Sequence, residues 1–98
     1  MKPVLFHAEA ERELWNTIDY YETKCTGLGL DFEKELRYAI SKIQMPPKSY
    51  PPKKYGARCR LLHRFPYSIY YLELQDIIWI ISVAHSRRRP YYWLKRLY

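Results

Sequence analysis

The sequence predicts an α+β domain in the order β-α-α-β-β-β, a helical hairpin packed on a small, antiparallel-rich sheet. Three observations carry this. Between Ala10 and Ile43, apolar residues recur at the helical spacings of 3 and 4, in two runs parted only by a few residues around Gly27 and Gly29. From Arg58 to Ala84 the pattern changes to alternating, aromatic and β-branched runs, as strands prefer. At 98 residues the chain can bury one core, so residues 1–98 form a single domain.

Val4-Leu5-Phe6 reads as a short strand, with Pro3 marking an edge or a strand beginning. Ala10, Leu14, Ile18, Tyr21 and Cys25 then define one face of a first helix. Glu9, Glu11 and Glu13 crowd its start, where acids suit the helix dipole, and are read as a solvated face. Gly27 offers a left-handed cap. Phe32, Leu36, Ala39, Ile40 and Ile43 mark a second helix, which Met45-Pro46-Pro47 stops. The short link makes the two helices an antiparallel hairpin.

Residues 46–57 hold four prolines, Lys53-Lys54 and Gly56, and read as a surface loop. Arg58 to Arg64 follows as an alternating strand, with Cys59, Leu61 and His63 on one face and Arg58, Arg60, Leu62 and Arg64 on the other. Phe65-Pro66 turns the chain into a strand over Tyr67 to Leu74. Gln75-Asp76 makes a hairpin turn. Ile77 to Ala84 is apolar except for Ser82, which places it near the sheet centre with both faces covered. Pro90 opens a last short helix or turn through Tyr91 to Arg96. No internal repeat is present.

At 48% hydrophobic and 28% charged, the chain has the composition of a globular rather than a disordered protein. Its net charge of +7 is unevenly placed. Residues 1–49 hold seven basic and eight acidic side chains, a net of −1, whereas residues 50–98 hold ten and two, a net of +8. A field concentrated in this way attracts a polyanion or an acidic protein segment. Cys25 and Cys59 are too few for a disulfide scaffold and read as small buried apolar residues. The three His and two Cys lack metal-ligand spacing, so neither a metal nor another cofactor is expected. The N-terminus lacks a signal-peptide run, and the longest apolar run, Ile77 to Ile81, is too short to span a membrane. A soluble cytoplasmic protein is expected.

Two constellations could carry function. One is Arg58, Arg60 and Arg64 on a single strand face, preceded by Lys53 and Lys54; arginine forks suit phosphate and carboxylate. The other is His85-Ser86-Arg87-Arg88-Arg89-Pro90-Tyr91-Tyr92-Trp93. Three arginines meeting three aromatics suit nucleic acid or a protein interface. Binding candidates are therefore Arg58, Arg60, Arg64, Arg87, Arg88, Arg89 and Trp93. A metal-free ribonuclease needs a proton acceptor, a cation for the phosphorane and a proton donor, and His85, Arg88 and Tyr92 are candidates for those roles.

The runs Phe6 to Leu14, Tyr20-Tyr21-Glu22, Gly27 to Phe32, Arg64 to Tyr71 and Val83 to Arg88 together resemble the RelE/ParE toxin superfamily, over nearly the whole chain. The resemblance implies the helical hairpin on a small sheet. It also implies the toxin of a bacterial type II toxin–antitoxin, or plasmid-stabilisation, system, forming a hetero-oligomer with a cognate antitoxin. RelE-like members cleave ribosome-bound mRNA without a metal, and ParE-like members poison DNA gyrase. RelE-like nucleases carry an arginine where this chain has Ser68, just after Tyr67, and another where it has Ser86. Tyr92 matches their C-terminal tyrosine, and Arg58 or Arg60 their basic strand residues. His85-Ser86-Arg87-Arg88 is closer to ParE-like members, so a growth-inhibiting gyrase binder is the reading taken forward. The alternatives are a RelE-like endoribonuclease acting on the ribosome and mRNA, or a non-toxic nucleic-acid-binding or interaction module.

Overall fold

The computed structural model describes residues 1–45 and 50–98. The strands are β1 (Val4–Phe6), β2 (Arg58–Leu61), β3 (Tyr67–Glu73) and β4 (Ile78–His85), and the helices are α1 (Ala8–Lys24) and α2 (Leu28–Ile43). Short 3-10 turns occupy Lys54–Gly56 and Leu94–Leu97. The sheet order is β1-β4-β3-β2, with β1 parallel to β4 and the other pairs antiparallel. The expected β-α-α-β-β-β order and helical hairpin are both present.

The hairpin is fastened at its bend. Gly27 takes the left-handed backbone, φ 89°, that turns α1 into α2. Glu22 of α1 accepts from the Gly27 and Gly29 N–H groups at 2.9 and 3.0 Å, satisfying donors that a helix start leaves open. A Cβ at Gly29 would stand 2.5 Å from the Ile18 carbonyl oxygen, so the helices cross there at backbone contact. Cys25 departs from its expected place on the apolar stripe. The helix ends at Lys24, and Cys25 is extended and exposed. Of the expected proline stop, Pro46 and Pro47 lie outside the described residues; α2 ends at Ile43 with Gln44 as its cap.

On the helix side of the sheet, Phe32, Leu36, Ala39 and Ile43 of α2 meet Ile69, Tyr71, Ile78, Ile80 and Val83. Phe32, Phe65, Tyr21 and Tyr67 form an edge-packed aromatic group, with Tyr21 and Phe65 rings 4.9 Å apart. On the opposite side, the C-terminal tail lays Trp93 over Ile81, beside Ala57 and Tyr70. Both faces of β4 are thus covered, which explains its apolar run. A β-bulge changes its phase: Tyr70 pairs with Ser82 and Tyr71 with Ile80, leaving Ile81 as the extra residue. Ser82 therefore joins Ile81 on the tail side, and Val83 returns to the helix side.

The β2 strand is shorter than its alternation suggests, ending at Leu61. Glu35 of α2 captures the next backbone, accepting from His63 N–H at 2.6 Å and Arg64 N–H at 3.1 Å, so His63 and Arg64 lie in a bend.

Candidate functional site

The site is built around the half of β4 that β1 leaves unpaired. β1 ends at Phe6, opposite Ile80. Val83 N–H then donates to Glu13 Oε1 at 3.0 Å, and the Ile81 carbonyl accepts from Arg96 Nη1 at 2.8 Å. The same Arg96 guanidinium grips Glu13 with both terminal nitrogens, at 3.0 and 2.8 Å. Tyr92 Oη donates to Glu13 Oε2 at 2.5 Å and lies 2.6 Å from Ser82 Oγ, which donates to it. One carboxylate from α1 thus ties the tail to the strand. Burial alone would raise the Glu13 carboxyl, but hydrogen bonds from Arg96, Tyr92 and the Val83 N–H, with the Arg96 charge, hold it below its ordinary range. Burial and the bond to Glu13 push the Tyr92 hydroxyl up to about 12.

Glu13 is therefore not part of a solvated acidic face, as its place among helix-start acids suggested. Only Glu9 and Glu11 stand in the first turn. Glu13 comes one turn later, beside buried Ala10 and Thr17, and points at the strand.

The candidate arginines do not gather into one face. Arg58 and Arg60 pair with Tyr71 and Ile69, on the helix side of the sheet. There both hold Tyr50: Arg58 Nη1 donates to its carbonyl at 2.6 Å, and Arg60 to its hydroxyl, with the Arg60 guanidinium 5.4 Å from the ring. Arg64 bonds Asp31 of α2 at 3.2 Å. Arg87, Arg88 and Arg89 are exposed on the turn after β4. Arg88 sits over the Tyr92 ring, its guanidinium carbon 3.7 Å from the centroid, with Nη1 4.0 Å from Glu13.

Trp93, read from sequence as a stacking surface, is 1% exposed and packs its ring against Tyr70 and Tyr91 at 5.1 and 5.7 Å. Its indole belongs to the core because the tail folds back over Ile81. His85 sits on the other side of β4, edge-on to Tyr67 at 5.1 Å, and its Nδ1 accepts from Arg87 N–H at 3.0 Å. That bond, with Arg88 N–H on the His85 carbonyl at 3.0 Å, makes the histidine the staple of the arginine turn. His85, Arg88 and Tyr92 all line one cavity of about 270 Å³, but within it Arg88 meets the Tyr92 ring while the His85 imidazole packs on Tyr67 and is bonded to the Arg87 N–H. Among the described residues, no group of three His, Cys, Asp or Glu side chains forms a metal site. Among them, too, no helix is long and apolar enough to cross a membrane.

The model of the ParE toxin of type II toxin–antitoxin systems, parDE, matches residues 4–90. The chain belongs to the ParE toxin family. Comparison with curated protein sequences finds no match. Among solved structures, the chromosomal ParDE toxin–antitoxin system from P. aeruginosa aligns with a TM-score of 0.76, covering 87% of this chain and 96% of that one at 18% identity. That likeness concerns the fold. The strand β4 and the arginine turn of this ParE-family chain fall inside the matched span, whereas Tyr92, Trp93, Lys95 and Arg96 follow it.

Proposed function

We propose that this chain is the toxin of a type II toxin–antitoxin pair, that it arrests growth by binding DNA gyrase, and that a cognate antitoxin neutralises it. The observation that carries binding over RNA cleavage is the state of Tyr92. Its hydroxyl is spent on Glu13 and Ser82 and pushed up to about 12, which suits a structural strut better than a proton donor to a leaving oxygen. His85 supports the same reading, since its ring is turned to Tyr67, and the carboxylate beside Arg88 and Tyr92, that of Glu13, is already engaged by Arg96 and the Val83 N–H. The exposed turn offers Arg87 and Arg89 to a partner on a backbone fixed by His85.

The test is production of the chain alone in a bacterial host, with mRNA ends and DNA-break signalling followed from the first minutes. DNA-break signalling with intact mRNA is expected, together with inhibition of purified gyrase. Arg87→Ala with Arg88→Ala should abolish both while leaving the fold intact. Early cuts within translated codons would replace this reading with the ribonuclease one. Co-production of the antitoxin should restore growth, and its affinity should fall with salt given the +8 charge of residues 50–98.

A further inference from the structure

Beside the Glu13, Tyr92 and Arg96 cluster lies a cavity of about 460 Å³, lined by Glu9, Arg88, Arg89, Tyr92, Lys95 and Arg96. It brings together the arginine turn and the tail, whose Tyr92 and Arg96 are held by Glu13 and whose Trp93 is buried against Ile81. Its electrostatics are lopsided. Glu13 takes up the charge of Arg96, and Glu9 leans toward Arg12 at 3.4 Å. Arg89 and Lys95 are exposed cations around one opening, and Arg88, exposed beside them, stands at the long distance of 4.0 Å from the Glu13 carboxylate that Arg96 already grips. Arg88 also rests over the Tyr92 ring, its guanidinium carbon 3.7 Å from the centroid, while its side chain stays open to a ligand.

We propose that this cavity binds the phosphodiester backbone of a nucleic acid, with Arg88, Arg89 and Lys95 each taking a phosphate oxygen. Two features favour phosphates over the acidic side chains of a protein. The cavity has no aliphatic residue in its lining, whereas the centre of a protein interface is apolar and depleted of charge. Its cations are two arginine forks and a lysine, a set that matches the oxygens of successive phosphates. The inference goes beyond gyrase binding and does not need it, because the ligand is bound by the toxin alone.

The probes are a short labelled DNA duplex and the RNA duplex of the same sequence, titrated with purified full-length chain by fluorescence anisotropy. Three phosphate contacts predict that affinity falls about 40-fold between about 50 and about 200 mM salt. Arg89→Gln and Lys95→Gln should each weaken binding about 10-fold at the lower salt and reduce the logarithmic salt slope by about 1. Lys24→Gln, an equal loss of charge at the far end of α1, should change neither. Binding of both duplexes, or of one alone, supports the site and names its source. Overturning results are absence of binding at about 50 mM salt, equal weakening by Lys24→Gln, or tighter capture of an acidic peptide than of either duplex. Thermal melts of each variant separate lost contacts from lost fold, and both test side chains are exposed.

Discussion

Glu13 and Arg96, 83 residues apart in the chain, stand where a fifth strand would pair with β4. One accepts from Val83 N–H and the other donates to the Ile81 carbonyl, while their own ion pair joins them. Two side chains thereby complete a backbone ladder that β1 abandons after Phe6. A strand edge left bare would cost unpaired peptide groups or invite pairing with another chain. The same pair pins the tail, so closure of the edge and the shape of the basic surface depend on one carboxylate.

Glu13→Gln should lower stability by about 3 kcal/mol, because Arg96, whose side chain is 9% exposed, loses its counter-charge. Urea denaturation at neutral pH measures this. The pH dependence has a definite sign. The folded carboxyl lies below its ordinary value of 4.5, so its stabilisation is complete above that pH and is lost as pH falls through the folded value. The gap between wild type and variant should therefore close in acid. A gap that stays constant down to about pH 2 would show that the carboxylate charge is not what holds the tail.

Tyr92→Phe should cost about 1–2 kcal/mol, since it leaves buried Ser82 without the hydroxyl it bonds while sparing the ring under Arg88. In the Glu13→Gln background the additional cost should shrink, because Tyr92 and Glu13 belong to one hydrogen-bonded unit. A double-mutant cycle in urea checks this. Strict additivity would mean the 2.5 Å contact contributes no coupling.

Most of the fold was legible because local periodicity and burial agree. The stripe of Phe32, Leu36, Ala39 and Ile43 gave α2, and the apolar run of β4 gave a strand covered on both faces. The site was less legible. Glu13 lies three residues after Ala10 and four before Thr17, both buried, so helical spacing placed it on the inner face. Its neighbours Glu9 and Glu11 made it look like one more helix-start acid. Its partners come from the far end of the chain, where no local pattern reaches. Alternation put Arg58 and Arg60 on one face correctly, but their engagement with Tyr50 depends on where the loop before β2 returns. Trp93 carries the composition of a stacking residue and the position of a core one; only the return of the tail over Ile81 separates the two.

Gly29→Ala should destabilise the hairpin by about 1–3 kcal/mol, as overpacking does, because the Ile18 carbonyl oxygen 2.5 Å from the new methyl is backbone and cannot rotate aside. Cys25→Ala, four residues earlier but exposed, should stay within about 0.5 kcal/mol of wild type. Chemical denaturation of the two variants side by side is the check, and equal effects would mean that the helices slide apart without cost.

Trp93→Ala should cost about 3–5 kcal/mol, the range for emptying an aromatic core position. The loss should appear first in the tail, because Trp93 is its buried anchor against Tyr70 and Ile81. Limited trypsin digestion should then cut after Arg87 or Arg88 well before the wild type is cleaved. Arg87→Ala, on the exposed turn, should leave both stability and protease resistance unchanged. This difference governs how growth-arrest data are read. Loss of arrest in Trp93→Ala would report an unfastened tail, whereas loss in Arg87→Ala at unchanged stability would report a contact with the target. Trp93→Phe refills part of the same space and should recover much of the protease resistance. If it recovered none, the indole would be needed for more than its volume.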